Sequence, residues 1–281
     1  MKINLHMHST YSDGRKDAGE IIDLLLQEEV ELFSITDHDA IDGINECIHL
    51  CNNKEITYIP GIEITSQVDT LSEDLRDIDQ VHILGYGFNV EKMKNGLEKF
   101  SRYKLELSKK LIDKLIENGL DLSDSDFLDI KNLTKGSIAR VIVLKGYAVS
   151  RNEAFEKYIN KYPEFKTKCL DVKYILSLIK KTGGISVLAH PFDAINNSNK
   201  VTLSTDEVRV LVKSLKKYGL DGLEIYYKDY SKQQIEFLER LSFEFNLLSS
   251  AGTDYHFKQH NEKLFKDIDE SSVTILKRIN F

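Results

Sequence analysis

Short β-rich runs and amphipathic helical stretches alternate along the first ninety residues of this 281-residue chain. Alternation of this length indicates parallel βα units, so we predict an α/β fold. The polar, acidic stretch Ser66–Gln80 interrupts the alternation and is predicted to be a loop. The predicted strands are Ile3–His6, Glu31–Thr36, Ile56–Ile64 and Val81–Phe88, and the predicted helices are Asp17–Glu29 and Ala40–Cys51.

The hydrophobic period changes after residue 90. Glu91–Asn118 predicts one long amphipathic helix, and Ser137–Tyr147 and Ser150–Tyr162 predict two more. No strand signal is found between Phe88 and Gly184. We therefore predict an α/β domain over 1–90 and 171–281, interrupted by a helical insertion over 91–170. The alternative is that these helices form the outer layer of a barrel. The later predicted elements are helix 172–181, strand Ile185–Ala189, helix Thr205–Tyr218, strand Gly222–Tyr227, helix Ser231–Phe245 and strand Leu247–Ala251.

The first strand ends in a His-x-His pair. His6 and His8 are two residues apart, and in an extended strand such residues point to the same face. Asp13 follows on a turn formed by Ser12–Gly14 and could add an oxygen ligand. The pair could hold one metal ion, although an isolated pair of this kind more often has no such role.

Other side chains that could bind a metal, namely histidines and carboxylates, stand at the ends of the predicted apolar strands. In parallel βα barrels the carboxyl ends of the strands form one active-site face, so ligands far apart in sequence would converge there. His82 is the exception, because it lies near the start of its strand. His49 and His260 lie outside this pattern, and Asp39 and Asp42 suit turns and caps better. The strand-end residues are His6, His8, Asp37, His38, Glu63, His190, Asp254 and His256.

The ligand inventory exceeds the needs of one metal ion. Six histidines, two aspartates and one glutamate suit two or three divalent ions that share a bridging carboxylate. No cysteine is among them, so Zn²⁺, Mn²⁺ and Fe²⁺ all fit. Clustered cations lower the pKa of a bridging water and stabilise a leaving oxygen. The pattern therefore predicts metal-assisted hydrolysis of a phosphate ester.

Composition limits the partners and the compartment. The net charge of −7 argues against a large face for double-stranded DNA, because such binding needs basic patches. The three cysteines and the lack of a signal-peptide pattern predict a reducing, cytoplasmic setting. No apolar run approaches the ~20 residues of a membrane span, so no membrane association is expected.

Taken together, the motifs resemble those of the PHP (polymerase and histidinol phosphatase) superfamily. They are His6–Ser9, Ser12–Gly14, Thr36–Asp39, Pro60–Glu63, His82, Ala189–Pro191 and Gly252–His256, in the expected order. The resemblance implies a distorted (β/α)7 TIM-like barrel with a two- or three-metal site on its rim. It also implies that Asp37 supports the ligands rather than joining them. The implied ligand sets are His6, His8, Glu63 and Asp254 for one ion, Glu63, His82 and His190 for a second, and Asp13, His38 and His256 for a third.

The helical insertion sharpens the resemblance. Ser137–Arg140, Asn152–Tyr158 and Gly222–Tyr227 are similar to segments of PHP phosphoesterases that act on nucleotides. That group includes a 3′,5′-nucleoside bisphosphate phosphatase and a 5′→3′ exoribonuclease. It implies a small phosphorylated substrate, either a nucleotide or the 5′ end of a short RNA. Arg140 is the expected phosphate clamp, because guanidinium pairs bidentately with phosphate. The expected catalytic residues are His190, Asp254 and His256.

Two departures and two alternatives remain. Ser137 stands where a histidine often precedes the Ile-Ala-Arg run, and Ala251 stands where glycine is common. The first departure bears on recognition of the base or sugar more than on the chemistry. A histidinol-phosphate phosphatase is one alternative, although it would not need the helical insertion. A non-catalytic PHP module is the other, although all nine ligand positions are filled.

Overall fold

A computed structural model describes residues 1–68, 71, 75, 78–128, 130, 133–165, 168–196, 199–257 and 262–279. Much of the predicted loop Ser66–Gln80 lies outside the described residues, as does His260. Within the described part of that loop, Ser66 and Gln67 end one strand and Gln80 begins the next.

Twelve strands are assigned within the described residues. They are β1 (Lys2–Asn4), β2 (Leu32–Phe33), β3 (Thr57–Tyr58), β4 (Gly61–Gln67), β5 (Gln80–Tyr86), β6 (Leu170–Asp171), β7 (Ile185–Leu188), β8 (Asp193–Asn196), β9 (Asn199–Thr202), β10 (Gly222–Tyr227), β11 (Leu248–Gly252) and β12 (Lys266–Asp267). Strand β6 corrects the expectation that no strand lies between Phe88 and Gly184, and its two residues are too few to give a periodic signal. The hairpin β8–β9 was also not predicted.

Eight α-helices accompany these strands in the described part of the chain. Most begin at a side chain that caps them, for example Asp17 before the first helix and Asp171 before the sixth. The helices are α1 (Ala18–Gln27), α2 (Ile44–Cys51), α3 (Val90–Glu117), α4 (Lys135–Leu144), α5 (Arg151–Lys157), α6 (Val172–Lys181), α7 (Thr205–Lys217) and α8 (Lys232–Glu244). None of them, within the residues described, has the length and apolarity to cross a bilayer.

The strands form two mixed sheets. The first has the order β12–β1–β2–β3, and the second has the order β11–β10–β7–β5–β4–β6 with the hairpin β8–β9 attached to β5. The expected run of parallel strands is wrong at β5, which pairs antiparallel with both β4 and β7. Isolated bridges between Met7 and Tyr255, and between His38 and Glu63, connect the two sheets. The α/β fold is thus confirmed, and the closed barrel stays a prediction.

The hydrophobic core lies between the sheets and their flanking helices. One large cluster packs β4, β5 and β7 against α6, α7 and α8, and smaller clusters surround β1 and α1. A separate cluster lies within residues 111–165 and includes Leu111, Leu115, Ile138 and Ile142. The far end of α3 therefore packs with α4 and α5, whereas its start at Met93 and Leu97 packs on the main core. The division into a barrel and an insertion stays a prediction.

Candidate metal centre

The segment after β1 carries two buried histidines to the edge of the first sheet. Leu5 and Met7 are fully buried in hydrophobic clusters, and His6 and His8 alternate with them. The backbone stays extended because Leu5 donates a hydrogen bond to the Ala251 carbonyl. As the spacing predicts, the two imidazoles lie close together, with ring centroids 5.3 Å apart.

The first group of ligand-type atoms forms around these histidines. Nε2 of His6 lies 3.2 Å from Oε2 of Glu63, and Nε2 of His8 lies 3.1 Å from the same oxygen. Oδ1 of Asp254 lies 3.1 Å from Nε2 of His8. The candidate ligand atoms of these four residues all lie within 4.8 Å of one another, which is compact enough to hold one metal ion.

Several of these buried atoms are well suited to a cation. Nε2 of His6, both ring nitrogens of His8, Nδ1 of His38 and Oε2 of Glu63 have no hydrogen-bond partner among the described residues. A buried polar atom without a partner is costly unless something else satisfies it. Ligands that each lie 2.0–2.2 Å from one ion are about 3 Å from one another, which matches the spacing here. The residues present therefore fit a metal centre.

A second group lies around the other oxygen of Glu63. Nδ1 of His82 is 2.9 Å from Oε1 of Glu63, and Nε2 of His190 is 3.3 Å from it. Nδ1 of His38 is 3.1 Å from Oε2. His38, Glu63 and His82 are close enough to hold an ion together. Glu63 thus contacts five histidines and lies at the centre of the site.

The third group lies at the outer end of the site. Nε2 of His256 is 2.9 Å from Oδ1 of Asp13, and the nearest ring nitrogens of His8 and His38 are each 3.9 Å from that oxygen. These four residues could also hold an ion. His8 and His38 each belong to two groups, so the three groups form one continuous cluster.

The reversed direction of β5 explains why His82 departs from the strand-end pattern. His82 pairs with Thr65 near the carboxyl end of β4, because β4 and β5 are antiparallel. The amino end of β5 therefore lies at the same edge as the carboxyl ends of β4 and β7. His82 reaches the cluster from the start of its strand, just as the other ligands reach it from the ends of theirs.

Two residues of the cluster have unusual backbone conformations. His190 has φ of 26° and Asp254 has φ of 49°, both in the left-handed region. Such conformations are costly for residues other than glycine, and they are concentrated at functional sites. Here they turn each side chain inward directly after its strand.

Electrostatics inside the cluster favour ionised carboxylates. Burial alone would raise the pKa of Glu63, but the surrounding imidazoles of His6, His38 and His82 hold it well below its usual range. The pKa of Asp254 is also held well below its usual range despite burial, by His6, His8 and His256. Burial lowers the pKa of His38 to about 3, whereas the neighbouring carboxylates overcome burial and raise the pKa of His6 and of His190, and that of His8 to about 10. Metal binding needs ionised carboxylates and neutral imidazoles, so a bound ion would replace the protons that these carboxylates favour on His6, His8 and His190.

Glu224 is a buried carboxylate in contact with the cluster, and the sequence did not assign it to the site. It is fully buried, its Oε1 lies 3.0 Å from Nδ1 of His6, and its Oε2 accepts a hydrogen bond from the His190 backbone. The sequence feature that could have identified it is its position inside the apolar strand β10, because a carboxylate buried there needs polar partners. Tyr227 on the same strand donates a hydrogen bond to Oδ2 of Asp254 at 3.2 Å.

Asp37 has the supporting position that was expected. Its carboxylate accepts hydrogen bonds from the Ser9 backbone at 2.8 Å, from the Ser9 hydroxyl at 2.6 Å and from the Ser12 hydroxyl. These bonds fix the loop that carries Asp13.

Asp39 accepts a hydrogen bond from the Thr65 backbone and forms an ion pair with Lys104 of α3, so the structure gives it no place in the three ligand groups.

Arg140 is exposed on α4 and lines a cavity of about 350 Å³ beside Asp13. Arg15 and Arg151 line the same cavity. Nη1 of Arg151 donates a hydrogen bond to the Asp13 carbonyl at 3.0 Å, so the helical segment contacts the rim of the metal centre directly. Arg151 was not singled out from the sequence, where it stands only as the first residue of a helix.

The sequence matches a known protein family over almost its whole length. The PHP domain family matches residues 4–279 of the chain.

The chain belongs to the PHP domain family.

Relatives of this PHP protein include phosphoesterases with different substrates. A 5′-3′ exoribonuclease from Haemophilus influenzae is 28% identical over 95% of this chain and 94% of its own. A 3′,5′-nucleoside bisphosphate phosphatase from Chromobacterium violaceum is 22% identical over 90% and 87%. A phosphoribosyl 1,2-cyclic phosphate 1,2-diphosphodiesterase from Eggerthella lenta is 24% identical over 91% and 94%. The predicted hydrolase class is therefore confirmed, whereas the substrates differ among relatives.

Solved structures support the fold of this PHP protein. A candidate metal-dependent phosphoesterase from Bifidobacterium adolescentis superposes with a TM-score of 0.78, covering 98% of this chain and 96% of its own at 22% identity. An amidohydrolase from Chromobacterium violaceum with bound sulfate superposes with a TM-score of 0.77, covering 99% and 96% at 20% identity. The similarity spans the whole chain, including the helical segment between β5 and β6.

Proposed function

We propose that this PHP protein hydrolyses a phosphate monoester on a small nucleotide that carries a second phosphate, such as a 3′,5′-nucleoside bisphosphate, or on the 5′ end of a short RNA. The observation that carries the proposal is a cluster centred on Glu63, made of the eight residues of the three ligand groups and His190 at 3.3 Å, with buried atoms that lack other partners. The relatives named as a bisphosphate phosphatase and as exoribonucleases support the substrate class.

The ion assignment is part of this proposal. We assign His6, His8, Glu63 and Asp254 to one divalent ion. A second ion would bind Glu63, His82 and His190, and a third would bind Asp13, His38 and His256. His38 also lies within reach of the second group, so it can be shared. Two or three ions of Mn²⁺, Zn²⁺ or Fe²⁺ fit this nitrogen and oxygen donor set.

Each group of protein residues has a separate task in the proposed reaction. Bound divalent ions would supply Lewis-acid activation of water and of the phosphoryl oxygens. Glu224 fixes the orientation of His6, and Tyr227 holds Asp254 by a hydrogen bond. His190, Asp254 and His256 line a cavity of about 270 Å³ and are the residues that we expect to contact the reacting phosphate.

The arginine-lined cavity supports a substrate with more than one anionic group. Arg15, Arg140 and Arg151 all line it, and Asp13 places it directly beside the metal centre. Among the described residues, the guanidinium groups of Arg15 and Arg140 have no ion-pair partner. Guanidinium is well suited to bind phosphate through paired hydrogen bonds. We propose that Arg140, with Arg15 and Arg151, holds a phosphate that is not hydrolysed.

The architecture is proposed together with the function. We infer a distorted (β/α)7 barrel over 1–90 and 171–281, capped by a helical insertion over 91–170. The bridges that join the two sheets at Met7 and at His38 support the barrel. The separate hydrophobic cluster within 111–165 supports the insertion.

The test is a substrate panel with Mn²⁺ that measures phosphate release from 3′,5′-bisphosphates, mononucleotides, short 5′-phosphorylated RNA and histidinol phosphate. We expect turnover on the first or third class, abolished by Asp254→Asn and retained by His49→Ala, which alters an exposed histidine on α2. Preference for histidinol phosphate would replace the proposal with that alternative. No release from any substrate with Mn²⁺, Zn²⁺ or Fe²⁺ would favour a non-catalytic module.

A further inference from the structure

The cavity lined by His190, Asp254 and His256 extends from the metal cluster to the hairpin β8–β9 and shares no lining residue with the arginine-lined cavity. It measures about 270 Å³, slightly below the range of about 300–1,000 Å³ that holds drug-sized ligands, so it suits a compact ligand whose reacting phosphate lies at the metal end. Five residues of the cluster line it, namely His38, His82, His190, Asp254 and His256. Its remaining lining comes from β5 and from the hairpin β8–β9.

Strand register places three side chains in a row on this wall. Ile195 of β8 pairs with Gln80 of β5 on one side and with Lys200 of β9 on the other. Residues directly opposite one another in antiparallel strands point to the same face. Gln80 also precedes His82 by two residues in β5, so both side chains leave the strand on the same face. The row Gln80–Ile195–Lys200 therefore faces the same side as the ligand His82.

Backbone hydrogen bonds attach this wall firmly to the metal centre. The Asp79 backbone donates to the Ile195 carbonyl at 2.8 Å, and Asp193 donates to the His190 carbonyl at 2.8 Å. The Phe192 backbone donates to the Tyr230 hydroxyl at 3.0 Å. The hairpin thus starts directly after the ligand His190 and is held in place before any substrate binds.

The charge of this wall differs from that of the arginine-lined cavity. Nζ of Lys200 lies 2.7 Å from Oδ2 of Asp193, so the two charges offset each other. Ile195 is apolar, and the amide of Gln80 has no hydrogen-bond partner in the part of the chain that the structure describes. A second, unreactive anionic group would therefore prefer the arginine side, and an uncharged group would prefer the hairpin side.

We propose that the row Gln80–Ile195–Lys200 binds the nucleobase of the substrate, and that Gln80 determines which bases are preferred. This inference rests on the proposed function, because it presupposes a nucleotide at the metal centre. A primary amide offers one acceptor and two donors, which match the edge of a nucleobase. Ile195 and the aliphatic stem of Lys200 supply an apolar surface for the ring.

The experiment compares substrates with and without a base. We would measure kcat/KM with Mn²⁺ for the four nucleoside 3′,5′-bisphosphates and for p-nitrophenyl phosphate. Gln80→Ala should lower the value for at least one nucleotide about 10-fold and leave the aryl phosphate unchanged, as loss of a hydrogen bond to the base predicts. Gln233→Ala, at an exposed position on α8, is the matched control and should change neither.

Two results would overturn the inference. One is an equal loss on the aryl phosphate and the nucleotides, which would indicate damage to the metal centre. The other is an unchanged kcat/KM and base preference in both Gln80→Ala and Ile195→Ala. If the wild type releases no phosphate from any substrate, the proposed function is wrong.

In that case, equilibrium binding of the bisphosphates to wild type and to Gln80→Ala tests the base site by itself. Weaker binding by the variant supports the inference, and equal binding rejects it.

Discussion

Oε1 of Glu224 lies 3.0 Å from Nδ1 of His6, and both side chains are fully buried. The carboxylate can accept a hydrogen bond from Nδ1–H, which leaves Nε2 of His6, beside Glu63 and Asp254, as the ring atom available to a metal ion. Carboxylates behind metal-binding imidazoles commonly fix the ring in this way. The same glutamate holds the backbone of His190, so one side chain positions two residues of the cluster.

Glu224→Gln should lower metal affinity about 10- to 100-fold. An amide nitrogen facing Nδ1 of His6 would favour the tautomer with the proton on Nε2, where the ion should bind. Isothermal titration with Mn²⁺ measures the effect. Glu236→Gln, at an exposed position on α8, is the control. Equal affinities in Glu224→Gln and wild type would remove Glu224 from this role.

Asp37→Asn should destabilise the fold by about 1–3 kcal/mol, because one of its two acceptor oxygens is replaced by a donor beside the Ser9 and Ser12 hydroxyls. The Asp13 loop should also lose order. Chemical denaturation gives the free energy of unfolding, and Asp23→Asn on the exposed face of α1 serves as the comparison. A free energy of unfolding equal to that of wild type would show that these hydrogen bonds contribute little.

Gly252→Ala should disrupt the first ligand group. An added Cβ would lie 2.4 Å from Oε1 of Glu224 and 2.4 Å from Cβ of His6, so both would have to move. Overpacking of this kind costs about 1–3 kcal/mol. Thermal melting and Mn²⁺ binding are the measurements, with Gly19→Ala in α1 as control, where the closest atom is 3.3 Å away. Wild-type melting and binding would contradict the described packing.

Arg140→Ala should raise KM for phosphorylated substrates about 10-fold and change kcat little, because the residue would bind a phosphate that does not react. Steady-state kinetics on a bisphosphate separates the two constants. The control is Arg209→Ala, which alters an arginine paired with Glu244 on another face. An unchanged KM would place Arg140 outside the substrate site.

Most candidate ligand positions could be predicted from the sequence, because each predicted apolar strand ends at the edge of the sheet where the cluster lies. His6, His38 and Glu63 follow this rule and lie in the candidate ligand groups, and His190 follows it and lies 3.3 Å from Glu63. The direction of β5 could not be predicted, since the pattern of apolar residues in a strand is the same in either direction. His82 was therefore recognised as an exception without an explanation.

Contacts between residues far apart in the sequence could not be predicted either. His6 and Glu224 are separated by 218 positions, so no local pattern connects them. The hairpin β8–β9 is short and rich in asparagine, and its strands form because they pair with each other and with β5. Tertiary contacts, rather than intrinsic propensity, decide such elements.

Glu63 is proposed to hold a multi-metal centre together. The most direct measurement is the number of Mn²⁺ ions bound per chain after equilibrium dialysis, counted by mass spectrometry of the metal in wild type and in Glu63→Gln. We predict two or three ions in the wild type and at least one fewer in the variant. One ion or fewer per wild-type chain with each of Mn²⁺, Zn²⁺ and Fe²⁺, or an equal number of ions in Glu63→Gln and wild type, would contradict this role of Glu63.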